Sequence, residues 1–353
     1  MLAQLVASGF RNLEPLVWQP AGGSHLVLGG NGAGKTSLLE ALYVLATTRS
    51  FRTSQLGDCI RHGSELFHLE GEVESEQRTR LEVGFGREWR LRTVNGRPAP
   101  LAEHLAALPV VAWATGDSEM LSGPPVFRRR FLDRGIVGMR PTALEVLGRY
   151  RRALRQKREL LASGGHGLEA WNEVLAGAAA DLIARRLAYV EALASRLGEV
   201  LAEAGLPFPE ISLRYRPSPA SGLEGAEAVR ESLERMADRE RQRQLPLLGP
   251  HRDDLEILWG EREMGRVGSA GEKKALLLLL LAAHGRVVDA AGRSPVYLLD
   301  DADAELAPPT LAAVWSVFAV ARQLVASSNR PQVWLTLPVG SLWQMESGRI
   351  SAL

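Results

Sequence analysis

Gly29-Gly30-Asn31-Gly32-Ala33-Gly34-Lys35-Thr36 decides how this chain is read. The eight residues fit G-x-x-x-x-G-K-[ST] without a gap, the pattern of a phosphate-binding P-loop. His25-Leu26-Val27-Leu28 leads in as an apolar run with the character of a buried strand. Ser37-Leu38-Leu39-Glu40-Ala41-Leu42-Tyr43-Val44-Leu45 follows, with apolar residues at helical spacing. Strand, glycine loop and helix form the context the motif needs. Glycines let successive backbone N–H groups turn toward one anion, and the helix N-terminus adds a partial positive charge. Residues 29–37 are therefore expected to bind nucleotide: Lys35 reaches the β- and γ-phosphates, and Thr36 holds Mg²⁺. The competing reading is a glycine-rich turn that matches by chance, and the flanking strand and helix argue against it.

Lysine occurs only at Lys35, Lys157, Lys273 and Lys274; every other fixed positive side chain is Arg. In such a chain, a lysine in the phosphate loop suggests that a compact point charge is needed there. The 353 residues suggest about two domains, and a net charge of +1 does not by itself indicate nucleic acid. The single cysteine, Cys59, excludes an internal disulfide framework and fits a reducing compartment. The N-terminus lacks a signal-peptide pattern, and the longest apolar run, residues 275–283, is too short to span a bilayer. A cytoplasmic protein without membrane contact is expected.

Residues 2–8 and 16–18 read as strands flanking the turn Gly9-Phe10-Arg11-Asn12-Leu13. Arg11 and Asn12 are candidates to touch a nucleotide, with an ordinary solvated turn as the alternative. Residues 67–73, 79–85 and 89–94 alternate apolar and polar, and Asn95-Gly96 ends the last of them with a hairpin signal. An antiparallel meander is expected. Residues 110–113 form another short buried strand, and residues 324–328 and 332–335 read as the last strands.

The character changes at Gly123-Pro124-Pro125. Residues 126–204 are helical in pattern and rich in Arg: Arg128, Arg129 and Arg130, then Arg149, Arg151, Arg152, Arg155, Lys157 and Arg158. Such a stretch suits a phosphate backbone, and it equally suits a solvated face. Boundaries are expected at 1–122 and 245–353 for one domain and at 123–244 for an inserted helical lobe.

Two further sites follow. Ser269 and Gly271 open a buried helix and suit an anion at its N-terminus, although Ser-x-Gly is also an ordinary cap. Val296-Tyr297-Leu298-Leu299-Asp300-Asp301 is an apolar strand ending in paired carboxylates. At the ligand edge of an α/β sheet, one such carboxylate holds Mg²⁺ and the other orients or deprotonates a water.

P-loop, inserted helical segment, Ser-x-Gly-Glu and apolar-Asp-Asp, in that order, resemble the ATP-binding cassette ATPases in their SMC/Rad50-like branch. The details resemble the RecF family. Phe10-Arg11-Asn12-Leu13, Arg49-Ser50-Phe51-Arg52, Gly123-Pro124-Pro125 with Arg128-Arg129-Arg130-Phe131-Leu132-Asp133, residues 150–157 and Gly249-Pro250-His251-Arg252-Asp253-Asp254-Leu255 all carry the likeness. The resemblance implies an α/β P-loop ATPase head with an antiparallel β-meander and an inserted α-helical lobe. It implies ATP and Mg²⁺ as cofactors, Asp300 and Thr36 on the metal, and Asp301 with the switch residue Ser327 as catalytic. Ser269 and Gly271 are expected to bind the γ-phosphate of a second copy in an ATP-dependent homodimer. The implied partners are double-stranded and gapped DNA and a RecR-type mediator. The implied work is replication-linked and recombinational repair after DNA damage, including the SOS response.

Three departures stand out. Where the family has Ser-Glu-Leu-Asp, this chain has Ala304-Glu305-Leu306-Ala307. The apolar-Thr-Thr of the switch strand reads Ala326-Ser327-Ser328, and residues 111–117 lack the Pro-Glu-Asp of the family. The expected activity is a weak DNA-dependent ATPase. The alternatives are an ATP- and DNA-binding module with little or no hydrolysis, a transporter ATPase subunit and a small-molecule kinase.

Overall fold

The computed structural model describes residues 1–75, 77–114, 118–163 and 167–353. They form two compact units: Met1–Ser118 with Arg196–Pro207 and Gly268–Leu353, and Glu119–Ser195 with Phe208–Val267. Strands and helices are numbered along the chain.

The first unit contains two sheets. β1 (Leu2–Ser8), β2 (Leu16–Trp18), β4 (Leu66–Val73), β5 (Thr79–Gly86), β6 (Arg90–Val94) and β7 (Arg97–Pro98) make an antiparallel sheet in the order β2-β1-β4-β5-β6-β7. The expected meander is present. Phe67, Leu69 and Val73 turn inward, while Glu70 pairs with Arg80 at 2.7 Å. Asn95 and Gly96 carry φ values of 52° and 73°, the mirror-image turn that matches strand twist in a two-residue hairpin.

The second sheet orders β15 (Arg349–Ala352), β14 (Ser341–Glu346), β3 (Gly23–Leu28), β13 (Gln323–Ser328), β12 (Val296–Leu299) and β8 (Val110–Trp113). Its neighbours are parallel except for the β14–β15 hairpin. Every residue of β12 and β13 is buried, as in strands covered on both faces. α1 (Lys35–Thr47) lies between the sheets. Its Leu38, Leu39, Leu42 and Leu45 share one core with Leu5 and Phe67 of the first sheet and Val27, Leu298 and Val325 of the second. Tyr297 points the other way. It meets Phe318 of α10 (Pro308–Phe318) and leaves no room for a side chain at Gly285 of α9 (Ala270–Ala290). α2 (Leu101–Ala107) completes this unit.

The second unit holds α3 (Glu119–Ser122), α4 (Pro125–Met139), α5 (Ala143–Ala162), most of α6 (Leu168–Ala204), α7 (Ala226–Arg243) and α8 (Met264–Val267). A small sheet joins them, in the order β11 (Arg262–Glu263), β10 (Asp254–Trp259), β9 (Ile211–Arg216). Its boundaries differ from those expected at 123 and 244. β10 pairs antiparallel with β9, which carries residues 245–267 into this unit. The end of α6 belongs to the first unit, where Glu203 pairs with Arg286 of α9 at 2.5 Å.

Two local readings are corrected. Residues 332–335 are not a strand: Pro331–Trp334 is a 3₁₀ turn, with Trp334 edge-on to Trp315 at 4.8 Å. Proline cannot donate to a ladder, and the true last strands are β14 and β15. β9 is a strand inside the stretch expected to be a helical lobe, set between Pro207 and Pro209 on one side and Pro217 and Pro219 on the other.

Candidate functional site

The P-loop leaves β3 and enters α1 as the spacing requires. Gly34 caps the helix at φ 117°, a conformation costly for any residue with a side chain, and a Cβ at Gly29 would lie 2.4 Å from the Met345 carbonyl oxygen. Two distant segments brace the loop. Gly348, in the β14–β15 turn, donates its N–H to the Ala33 carbonyl at 2.8 Å and accepts from the Glu14 N–H at 3.0 Å. Asn12 donates to the Gly32 carbonyl at 2.8 Å and accepts from the Ser37 hydroxyl at 2.7 Å. Lys35 Nζ lies 2.9 and 3.0 Å from the carbonyl oxygens of Gly29 and Gly30.

Arg11 and Asn12 therefore part company. Arg11 turns to the fully buried Glu40 of α1, with Nε–Oε2 2.9 Å and Nη2–Oε1 2.7 Å, and donates to the Asp58 carbonyl. Arg52 and Ser50 also reach Glu40, at 3.3 and 2.5 Å. Burial pushes the Glu40 carboxyl up, but the bonds from Arg11 and Ser50 outweigh it and hold the group below its ordinary range. Glu40 was missed in the sequence because it sits in an apolar helical run and its partners lie outside that run.

β13 lies between β3 and β12, so the P-loop and the paired carboxylates flank its C-terminal end. Asp300 Oδ1 accepts from the Thr36 hydroxyl at 3.0 Å and from the Ser327 hydroxyl at 2.7 Å. Ser327 Oγ in turn accepts the Asp301 N–H at 3.0 Å. Thr36, Asp300, Asp301 and Ser327 are thus brought into one cluster. Burial raises the Asp300 carboxyl above its ordinary value, partly offset by the bond from Ser327. Asp301 stands at φ 46°, and its Oδ1 is buried without a hydrogen-bond partner. Lys274 of α9 donates to the Asp301 carbonyl at 2.9 Å, and Asn329 donates to Asn31 at 2.9 Å. Neither contact is foreshadowed by a local motif.

Ser269 and Gly271 lie elsewhere. Ser269 caps α9 in a capping box: its hydroxyl accepts the Glu272 N–H at 3.3 Å, and its own N–H donates to the Glu272 carboxylate at 2.8 Å. Ser269 is exposed, and among the described residues it bonds to none of residues 29–37. Residues 115–117, expected to differ from the family pattern, lie outside the described residues.

In the second unit much of the basic stretch is structural, a role that neither a phosphate-tracking face nor a solvated face describes. Arg128 forms a bidentate pair with Asp254 at 2.6 and 2.9 Å, and Arg129 donates to the Asp253 carbonyl at 2.9 Å. The buried Asp253 also binds Arg186 at 2.7 Å, the Ser218 N–H at 2.8 Å and the Tyr215 hydroxyl. The 249–255 stretch is thus the polar hub of this unit. Lys157 is fully buried 2.6 Å from the equally buried Glu240. Arg149 pairs with Asp181, and Arg151 with Asp133. Arg152, Arg155 and Arg158 are exposed, and no described residue pairs with them. At 100° per residue they occupy one side of α5, roughly 120° of arc.

Among the described residues no helix is long and apolar enough to cross a membrane. No family model matches the chain. It is 34% identical to the DNA replication and repair protein RecF of Myxococcus xanthus (strain DK1622), over 97% of this chain and 91% of that protein. It is 33% identical to the protein of the same name from Moorella thermoacetica (strain ATCC 39073 / JCM 9320), over 99% and 95%. Among solved structures it is similar to the recombination mediator protein RecF with ATP, with TM-score 0.89 and 24% identity over 100% of this chain and 97% of that one. It is also similar to an Smc head bound to the C-terminal winged-helix domain of ScpA, with TM-score 0.60 and 16% identity over 100% and 97%. These likenesses show the fold, an SMC-like ATPase head with an inserted helical lobe. At 34% identity across nearly the full length of such a relative, the chain belongs to the RecF family of DNA replication and repair proteins.

Proposed function

We propose that this chain binds ATP with Mg²⁺, dimerises on ATP, holds duplex and gapped DNA, and hydrolyses ATP slowly to release it. One observation carries the reading. Thr36 of the P-loop helix and Ser327 of β13 both donate to Asp300, so nucleotide loop, metal carboxylate and switch strand form one connected cluster. The residues fit the cofactor. Mg²⁺ bound with a nucleotide takes one or two protein oxygens and fills its remaining positions with phosphate and water. Thr36 Oγ1 and Asp300 Oδ1 supply such a pair, and no larger metal-binding cluster exists among the described residues. When bound, Mg²⁺ neutralises charge on the phosphates. Lys35 adds a second positive charge, and the unpartnered oxygen of Asp301 is available to orient or deprotonate a water. Positioning and charge stabilisation supply most of the catalysis.

Ser269 is exposed on a 21-residue helix and has no bond to its own P-loop, which supports a role on the nucleotide of a second copy. The DNA-facing side chains are Arg152, Arg155 and Arg158 of α5, and the mediator is of RecR type, acting in the cytoplasm. The test is duplex-DNA binding followed by fluorescence anisotropy with ATP, with ADP and with neither. Binding that requires ATP is expected, and binding indifferent to nucleotide contradicts the reading.

A second reading, ATP and DNA binding with scarcely any hydrolysis, draws on Ala307. It occupies the N-cap of α10 and makes no side-chain cap. The carboxylate that the family pattern has there is missing from both the cap and any dimer contact. Steady-state turnover with and without duplex DNA separates the two readings.

A further inference from the structure

The end of β13 grips the turn after the paired carboxylates at two points. Ser327 holds Asp300 and the Asp301 N–H, as described above. One residue on, the Ser328 hydroxyl donates to Asp303 Oδ2 at 2.9 Å and accepts the Arg330 N–H at 2.9 Å. Arg330 Nη1 returns to the Asp303 carbonyl at 3.2 Å. Asp303 is only 2% exposed. The turn it belongs to is unusual. Asp301 and Glu305 hold left-handed backbone at φ 46° and 65°, conformations that persist in non-glycine residues only where the surroundings over-determine them. Burying a third carboxylate beside Asp300 and Asp301 costs free energy that a neutral residue would avoid. What the carboxylate supplies in return is the grip of Ser328.

We propose that Asp303 is a positioning residue for ATP turnover. Held by Ser328 and Arg330, it fixes the turn that carries Asp301 against the strand that carries Ser327. This rests on reading Asp301 and Ser327 as the turnover pair. Among the described residues Asp303 makes no hydrogen bond to either of them, and it acts through the backbone between.

The test compares wild type, Asp303→Ala, Asp303→Asn, Ser328→Ala and the double alanine variant. Three quantities are read: DNA-stimulated kcat, the ATP dissociation constant by equilibrium titration, and Tm. Misplacing a reacting group by a fraction of an ångström is costly, so Asp303→Ala and Ser328→Ala should each lower kcat about tenfold or more. The double variant should be no slower than the singles, because both remove one contact. ATP affinity should hold in all four. Asp303→Asn keeps an oxygen for Ser328 and should restore turnover. An unchanged kcat in Asp303→Ala overturns the proposal. So does Asn behaving like Ala, or a fall in ATP affinity that matches the fall in kcat. A wild-type protein that binds ATP and never hydrolyses it overturns the positioning role while leaving ATP binding intact. A wild type that fails to bind ATP overturns both.

Discussion

Thr36 and Asp300 stand 264 residues apart in sequence, and the hydroxyl of one donates to the carboxylate of the other at 3.0 Å. That bond joins the first turn of α1 to the end of β12 across the C-terminal edge of β13. It makes the nucleotide loop and the paired carboxylates one site, and the predictions below follow from what surrounds it.

Lys35→Ala should leave the fold intact and weaken ATP binding. Among the described residues Lys35 hydrogen-bonds to two loop carbonyls, so its loss costs the fold little. Its charged hydrogen bonds to phosphate would be lost in the complex, weakening ATP by about 100-fold. Equilibrium titration with a fluorescent ATP analogue checks this beside a thermal melt.

Glu40→Gln should destabilise the first unit. Removing the Glu40 charge weakens the charged bonds from Arg11 and Arg52, both partly exposed, at about 1.5–3 kcal/mol. The pH dependence has a definite sign. Because the Glu40 carboxyl is held below its ordinary value in the folded state, its contribution is fully present above the ordinary carboxylate range. It is lost as pH falls through the lowered folded value. Wild type should therefore lose stability in acid faster than Glu40→Gln, measured by urea unfolding at neutral and acidic pH.

Arg152, Arg155 and Arg158 changed together to Ala should weaken duplex binding and flatten its salt dependence by about 2–3 in the log–log slope. Arg128→Ala should instead lower Tm, because it breaks the bidentate pair with Asp254. Anisotropy titrations across a salt series separate the two. An unchanged slope in the triple variant removes α5 from the DNA face.

Much of this site was legible in the sequence. The P-loop and the apolar-Asp-Asp strand are local patterns, Ser327 is suggested only by the family resemblance, and the fold brings Thr36, Asp300, Asp301 and Ser327 into one hydrogen-bonded cluster. What was not legible depends on topology. Gly348 supports Ala33 only because β14 pairs with β3, and nothing near residue 33 announces it. Arg128 and Lys157 looked like members of one basic face because periodicity shows charge along a helix but not the carboxylates packed against it. Asp254 and Glu240 lie too far along the chain to be paired with them by spacing. The last strands were misplaced because Val333-Trp334-Leu335 is apolar, and hydrophobicity alone does not separate a short strand from a packed 3₁₀ turn.

Ala307→Asp should stabilise α10 by about 1 kcal/mol, since an N-cap carboxylate satisfies a free N–H and favours the helix dipole. A higher Tm is the first readout. Turnover is the second: a rise in kcat would tie slow hydrolysis to the missing carboxylate, and an unchanged kcat would confine Ala307 to helix stability.

The most direct test of the proposed ATP-dependent dimer is molar mass by light scattering, with ATP and with ADP, for wild type and for Ser269→Arg. Ser269 is exposed, and among the described residues its side chain bonds within its own helix turn, so the substitution should leave the monomer folded and its ATP binding unchanged. Wild type should double in mass with ATP alone, and Ser269→Arg should stay monomeric under the same conditions. A variant that still dimerises with ATP would contradict the shared site.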